Sequence, residues 1–288
     1  MSVPAALPFT QVDVFTAAAL RGNALAVVHD ADDVDDATLQ AFANWTNLSE
    51  TTFVLAPTDP AADYRVRIFT TSGELPFAGH PTLGSAHAWL ARGGRPRTPG
   101  VVIQECGAGL VPVREGERLA FAAPPLLRSG PVEDALLARI IAAAGLDPAT
   151  VVGAAWCDNG PGWVGIELTD AVAVLAADPD PIAMTDLKVG LVGPYAADDA
   201  ARLGAACEVR AFYADGRDYE EDPVTGSLNA ALAQWLIPAG RLPREYVARQ
   251  GTRLGRAGLV HIRAEEDQIW VGGDAVTVIT GEVTLPGT

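Results

Sequence analysis

A twelve-residue phrase occurs twice in this chain, as GHPTLGSAHAWL at 79–90 and as EDPVTGSLNAAL at 221–232. Pro81, Gly84, Ser85, Ala88 and Leu90 recur as Pro223, Gly226, Ser227, Ala230 and Leu232, each at an offset of 142 residues (223 − 81). Five matches at one spacing indicate a duplicated unit, so the chain is expected to build two pseudo-equivalent halves. Each copy reads as a loop feeding a helix, with proline near the first helical position and Ala and Leu at helical spacing behind it. A helix start presents free backbone N–H groups and a partial positive charge, which suits an anion such as a carboxylate. Just before the shared proline the copies differ, His80 in the first and Asp222 in the second. Two such loops facing each other would bring a histidine and an aspartate to one site.

The rest of the chain fills in around the repeat. Its 288 residues suit two halves, 1–126 and 127–276, with the proline-rich stretch from Ala123 to Pro131 as the linker. Strands are expected at 9–15, 24–28, 63–70, 100–105, 109–113 and 118–122, and Asn47 to Val54 should turn a helix over 37–46 directly into a strand. The first repeat helix, 81–92, stops at Gly93-Gly94. In the second half a helix at 132–144 precedes strands at 150–156 and 163–168, which flank Asn159-Gly160-Pro161-Gly162, an echo of Gly22-Asn23. A strand at 205–213 parallels 63–70, matching Arg210-Ala211-Phe212 to Arg67-Ile68-Phe69, and the second repeat helix covers 223–236. Beyond 244 lie strands separated by Gly and acidic turns. Neither AHAWLA nor NAALAQWLI has a polar face of ordinary width, so each repeat helix should be wrapped by sheet. The expected fold class is α+β: two pseudo-symmetric domains, each a barrel-like sheet around one central helix, with the repeat loops meeting at a cleft.

Composition narrows the function. With 20 Lys and Arg against 36 Asp and Glu, the net charge of −16 opposes a nucleic-acid partner, and no basic patch offsets it. No run of about 18 apolar residues is present, so no membrane partner is expected. The start of the chain lacks the layout of a signal peptide, so a cytoplasmic location is expected. The three cysteines, Cys106, Cys157 and Cys207, form no C-x-x-C pair, which argues against a disulfide framework or zinc site and makes them small buried hydrophobes in strands. Neither G-x-x-x-x-G-K-[ST] nor G-x-S-x-G occurs, and the G-x-G-x-x-G at 160–165 leads into a strand and not into a helix. Proton transfer without metal, nucleotide or covalent intermediate is the expected chemistry. The alternatives are an epimerase or racemase of a small amino or hydroxy acid, and a non-catalytic protein binding a small acid or a partner.

Glu50 is the carboxylate best placed for it. It sits at a strand start beside an apolar run, where desolvation would raise its pKa toward the value a general acid/base needs. The plain alternative is an exposed turn glutamate. His80 could move protons or hold an oxyanion as a group titrating near neutrality, or it could merely bond a loop. Asp222 could orient His80 or a substrate ammonium or hydroxyl, or simply cap the second repeat helix. Gly79, Gly226 and Ser227, with Gly84 and Ser85 as the counterparts of the last two, would admit a substrate anion close to the backbone. His29, His87 and His261 lack the support of the repeat, and His87 should lie in the buried helix.

These residues sit in text that resembles the PhzF-like family of phenazine-biosynthesis isomerases, which share the diaminopimelate-epimerase fold. The matching stretches are VDVFT with RGNALAVV, then NLSETTFV, RIFTTSGELPFAGHPTLGSAHAWL and EDPVTGSLNAALAQWL, spread over nearly the whole chain. The resemblance implies two barrel-like domains, a final strand near 277–288 returning to the first of them, and homodimers. It implies a cofactor-free proton shift of the kind that isomerises trans-2,3-dihydro-3-hydroxyanthranilate, a small carboxylate-bearing substrate. The family's acid/base glutamate falls on Glu50, its GHP histidine on His80, its EDP aspartate on Asp222, and its carboxylate loop on Gly226 and Ser227. Cysteines that would serve a thiol-based racemase are missing from both motifs. The polar loop RAFYADGRDYEEDP departs from the shorter turn frequent among relatives.

Overall fold

The computed structural model describes residues 5–214 and 219–286. The chain divides into two compact units, residues 1–122 with 272–288, and residues 123–271.

The first unit comprises β1 (Ala5–Val14), β2 (Asn23–Val28), α1 (Asp36–Thr46), β3 (Glu50–Leu55), β4 (Tyr64–Phe69), β5 (Glu74–Leu75), α2 (Gly79–Ala91), β6 (Val101–Cys106), β7 (Gly109–Arg114) and β8 (Leu119–Ala122). The second begins with β9 (Arg128–Gly130) and α3 (Asp134–Ala143), followed by β10 (Val151–Asp158), β11 (Val164–Leu168), α4 (Ala171–Ala176), β12 (Lys188–Pro194) and α5 (Ala197–Leu203). It continues with β13 (Cys207–Ala214), β14 (Tyr219–Asp222), α6 (Gly226–Leu236), β15 (Glu245–Gln250), β16 (Gly258–Glu265) and β17 (Gln268–Gly273). A final strand, β18 (Ala275–Leu285), runs antiparallel to β1 from Ala5↔Leu285 to Val14↔Ala275.

Strand pairing makes the duplication visible. In the first unit β1–β2 is antiparallel, β2–β3 parallel, β3–β4 and β4–β5 antiparallel, and after α2 the chain returns with β6 parallel to β4. The second unit repeats this order as β10–β11, β11–β12, β12–β13 and β13–β14, with β15 parallel to β13 after α6. The parallel returns follow from placing a helix between strands, because a parallel pair needs a long crossover. Both repeat helices are buried along most of their length, α2 packing on β1, β2 and β3, and α6 on β10 and β16. Gly84 lets α2 approach its sheet: a Cβ there would stand 2.5 Å from Leu25 Cδ2 and 2.9 Å from Val14 Cγ2.

The match of Arg67-Ile68-Phe69 to Arg210-Ala211-Phe212 has a physical basis. Arg67 forks the Glu74 carboxylate through Nε (2.8 Å) and Nη2 (2.6 Å) and lies over the Phe69 ring. Arg210 forks Glu221 in the same way at 2.9 and 2.8 Å and lies over Phe212. Each arginine thus clamps the short strand that leads into a repeat helix. Planar guanidinium on carboxylate is the geometry that makes such a clamp directional.

Several expectations need correction. The second repeat helix begins at Gly226, not Pro223, because the segment from Asp222 to Thr225 is held from elsewhere. The proline-rich linker contains β9, which pairs with β10. α4, β12 and α5 occupy 171–203, where the sequence pattern assigned nothing. Cys157 and Cys207 are buried strand residues as expected, but Cys106 at the end of β6 is partly exposed. In the polar loop 210–223, residues 215–218 lie outside the described residues, as do 287 and 288 of the expected last strand.

Candidate functional site

In the first unit the site is assembled from a turn, a strand start and a helix start. The buried Asp13 carboxylate accepts hydrogen bonds from the backbone N–H groups of Arg21 (2.8 Å) and Gly22 (3.1 Å). Gly22 has no room for a side chain, since a Cβ would fall 2.0 Å from Val14 O. This turn delivers Asn23 to the start of β2, with its Nδ2 3.4 Å from His80 Nδ1. β3 runs parallel beside β2 with Glu50 opposite Leu25, and Glu50 Oε2 lies 3.4 Å from the same His80 Nδ1. Fully buried Thr51 and Thr52 follow Glu50, and Ser85 Oγ donates to Thr52 Oγ1 at 3.0 Å, tying α2 to the strand that carries Glu50.

His80 is the second residue of α2 and only 4 % exposed. Burial drives its pKa down to about 3, because the charged ring would lose its hydration. The ring is therefore neutral at physiological pH, and its contact with Glu50 is that of a carboxylate with an uncharged imidazole, not an ion pair. This corrects the expectation of a group titrating near neutrality. Nε2 of His80 is buried without a hydrogen-bond partner among the described residues. A buried polar atom left so is costly, and it marks where a substrate polar group would fit.

In the second unit Asp222 closes β14, three residues before the helix N-cap, Thr225. Asp222 is thus not the cap itself. Its Oδ2 accepts a 2.6 Å hydrogen bond from Thr225 Oγ1. Fully buried Gln250, at the end of β15, donates to Thr225 Oγ1 (2.8 Å) and Asp222 O (3.0 Å) and accepts from Thr225 N (3.0 Å) and Asn229 Nδ2 (2.9 Å). α6 then starts at Gly226 with no side-chain cap, whereas α1 and α4 are capped by Asp35 and Asp170. Ser227 Oγ accepts from Trp163 Nε1 (3.1 Å), and Ser227 O from Asn159 Nδ2 (2.9 Å). The Asp158 carboxylate bonds Gly160 N and Gly162 N, both at 2.8 Å, repeating the role of Asp13. In each unit a carboxylate-shaped hairpin turn touches the start of the repeat helix.

The structure brings Glu50 and His80 together in one unit, and gathers Asp222, Gly226 and Ser227 around the start of α6 in the other. Gly79 is the first residue of α2, behind an Ala78 that has no side chain able to cap. Gly84 and Ser85 do not share the expected anion-binding role: they lie well inside α2, buried against sheet, with Ser85 committed to Thr52. Asn23, Thr225 and Gln250 are functional candidates that the motifs alone do not single out. For Gln250 a signal exists, since EYVARQ alternates with Tyr246, Ala248 and Gln250 facing inward, and a glutamine on the inward face of a strand must satisfy a buried partner.

His87 lies in α2, half-buried, with Nε2 3.0 Å from Thr277 Oγ1, and His29 is buried against Thr10 Oγ1 at 3.1 Å. Burial pushes the thiols of Cys157 and Cys207 up to about 12 and raises that of Cys106, so none is poised as a thiolate. Among the described residues no three His, Cys, Asp or Glu side chains cluster as a metal would require, and no helix is long and apolar enough to cross a membrane. Surface cavities of about 340 Å³ beside Arg65 and Cys106, and about 390 Å³ beside His29 and Trp89, include neither Glu50 nor His80.

Comparison with known proteins agrees with the fold. Antisense-enhancing sequence 1 of Schizosaccharomyces pombe is 34% identical over 95% of this chain and 97% of its own length. The trans-2,3-dihydro-3-hydroxyanthranilate isomerase of Pseudomonas aeruginosa is 33% identical over 89% of this chain and 90% of its own. A crystal structure of a phenazine biosynthesis protein of the PhzF family from Enterococcus faecalis superposes with a TM-score of 0.79 at 24% identity, covering 97% of this chain and 99% of that one. The family model described as Phenazine biosynthesis-like protein, PhzC-PhzF, matches residues 12–281, nearly the whole chain and both units, so this chain belongs to the PhzC-PhzF family.

Proposed function

We propose that this chain is a PhzF-type isomerase that shifts a proton on a small carboxylate-bearing metabolite resembling trans-2,3-dihydro-3-hydroxyanthranilate, by acid/base chemistry without a cofactor. The observation that carries this reading is Glu50 Oε2 at 3.4 Å from a neutral, buried His80 whose Nε2 has no hydrogen-bond partner among the described residues. Glu50 takes a proton from one carbon as the conjugated electron pairs shift, then returns a proton to another carbon, so charge and atoms balance over the cycle. His80 contributes hydrogen bonding, not charge. With Nδ1 accepting from Asn23 Nδ2, its Nε2–H meets a substrate oxygen and fixes the ring of the substrate in place. The uncapped start of α6, at Gly226 and Ser227, suits the substrate carboxylate, and Asp222 suits an ammonium or hydroxyl group. The raised thiol pKa values favour a carboxylate base over a thiol pair.

The test is NMR in D₂O with trans-2,3-dihydro-3-hydroxyanthranilate and a panel of small cyclic and amino carboxylic acids. Wild-type protein should introduce deuterium at carbon, and Glu50→Gln should lower the rate by about 10²- to 10⁴-fold while substrate binding stays within about threefold. An active Glu50→Gln variant would sink the assignment. A product that is a stereoisomer of its substrate would make the reaction an epimerisation instead.

A further inference from the structure

Thr225 occupies an N-cap position, where a threonine side chain ordinarily accepts a hydrogen bond from the second or third amide of the helix. Here it does not cap α6. Its hydroxyl proton goes to Asp222 Oδ2 at 2.6 Å, and its oxygen accepts Gln250 Nε2 at 2.8 Å. Gln250 is fully buried and commits both amide groups to this one segment, through Asp222 O, Thr225 N, Thr225 Oγ1 and Asn229 Nδ2. The first unit contains a matching device: fully buried Gln104 on β6 donates to Thr82 Oγ1 at 3.0 Å, and Thr82 Oγ1 donates to Ala78 O at 2.9 Å, at the start of α2. A buried glutamine from the strand that follows each repeat helix thus holds a threonine at the beginning of that helix.

We propose that Thr225 and Gln250 are positioning residues with a double effect. By holding the Thr225 hydroxyl on Asp222, Gln250 aims the Asp222 carboxylate and withholds the natural cap from α6, leaving its first amides open to the substrate carboxylate. The inference rests on the function proposed above. The donor choice follows from chemistry: the Gln250 NH₂ can only donate, so the hydroxyl is left to donate to the acceptor Asp222.

Two measurements test it, one of them independent of turnover. Amide hydrogen exchange followed by NMR on the full chain should show Ser227 or Leu228 exchanging about fivefold more slowly in Asp222→Ala, because the freed Thr225 hydroxyl then caps α6. In Thr225→Val these amides should exchange as in wild type. Unchanged exchange in Asp222→Ala would overturn the diversion, whatever the substrate proves to be. In the D₂O assay with trans-2,3-dihydro-3-hydroxyanthranilate, Thr225→Val should lower kcat about tenfold to a hundredfold with KM within about threefold, and Thr225→Ser should restore most of the loss. Gln250→Leu should fall similarly, and the double variant should be no worse than either single one. If Gln250→Leu does not fold, the Thr225 variants carry the test. Equal loss in Thr225→Val and Thr225→Ser would overturn the proposal. A wild-type chain that incorporates no deuterium would count against the proposed reaction, while the exchange arm still decides the role of Thr225.

Discussion

Buried imidazoles are where this fold most alters the chemistry of single residues. His29, 2 % exposed, is held down to about 4 by burial and by the Arg92 charge, and His80 to about 3 by burial alone. Both bind a proton less readily folded than unfolded, where the value is about 6.5. Their neutral burial therefore costs nothing above pH 6.5, and stability drains away as pH falls from 6.5 toward the folded values. Between pH 7 and pH 5 His29 alone should remove roughly 2 kcal/mol, at about 1.4 kcal/mol per pH unit. Urea denaturation at the two pH values should show the loss, and His29→Asn should abolish that increment while leaving the share due to His80. Glu50, His80 and Asp222 were legible in the sequence because strand starts and duplicated motifs mark them. The neutrality of His80 was not, because it comes from packing by β2, β3 and the body of α2, which no local pattern reports.

The two arginine clamps make a matched pair of elements in different surroundings. Arg210 and Glu221 are 4 % and 11 % exposed, whereas Arg67 at 23 % bonds Glu74 at 42 % and Asp36 at 82 %. Removing one partner from the buried pair strands a charge, so Arg210→Met should cost about 3–5 kcal/mol. Arg67→Met, whose partners can turn to water, should cost about 1 kcal/mol or less. Thermal or urea unfolding of the two variants gives the comparison, and equal losses would contradict it. Gly84→Ala gains about 1 kcal/mol of helix propensity but forces a methyl to 2.5 Å from the buried Leu25 side chain. Overpacking of about 1–3 kcal/mol should win and lower the midpoint of unfolding. Most strands of the repeat region and both repeat helices could be read from periodicity and Gly/Pro punctuation, but β5, β12 and β14 could not. The late start of α6 could not, because Gln250, 25 residues beyond Thr225, decides it.

At the scale of the whole molecule, the duplication legible as a repeated phrase is realised as a repeated order of strand pairings. The short strand β9 joins β10, and the last strand β18 joins β1, so each unit includes a strand that the bare repeat does not announce. Ten residues of β1 pair with β18. Deleting residues 275–288 should therefore leave β1 without that neighbour, open the first unit to limited proteolysis, and spare a core built on 123–271. Equal protection of both units after the deletion would contradict this.

That pairing also sets an order in time. The second unit is contiguous, and all its strands emerge from the ribosome in one stretch. The first unit has its opening strand made early and its closing strand more than 260 residues later (275 − 14 for the nearest pair). Until then, that side of β1 is an unsatisfied edge, the kind of surface that invites mispairing between chains. Crowded synthesis is thus the moment of greatest hazard for this chain. A holdase that binds the early half and releases it after residue 285 has emerged would raise the yield of active protein more than any agent acting on the finished fold.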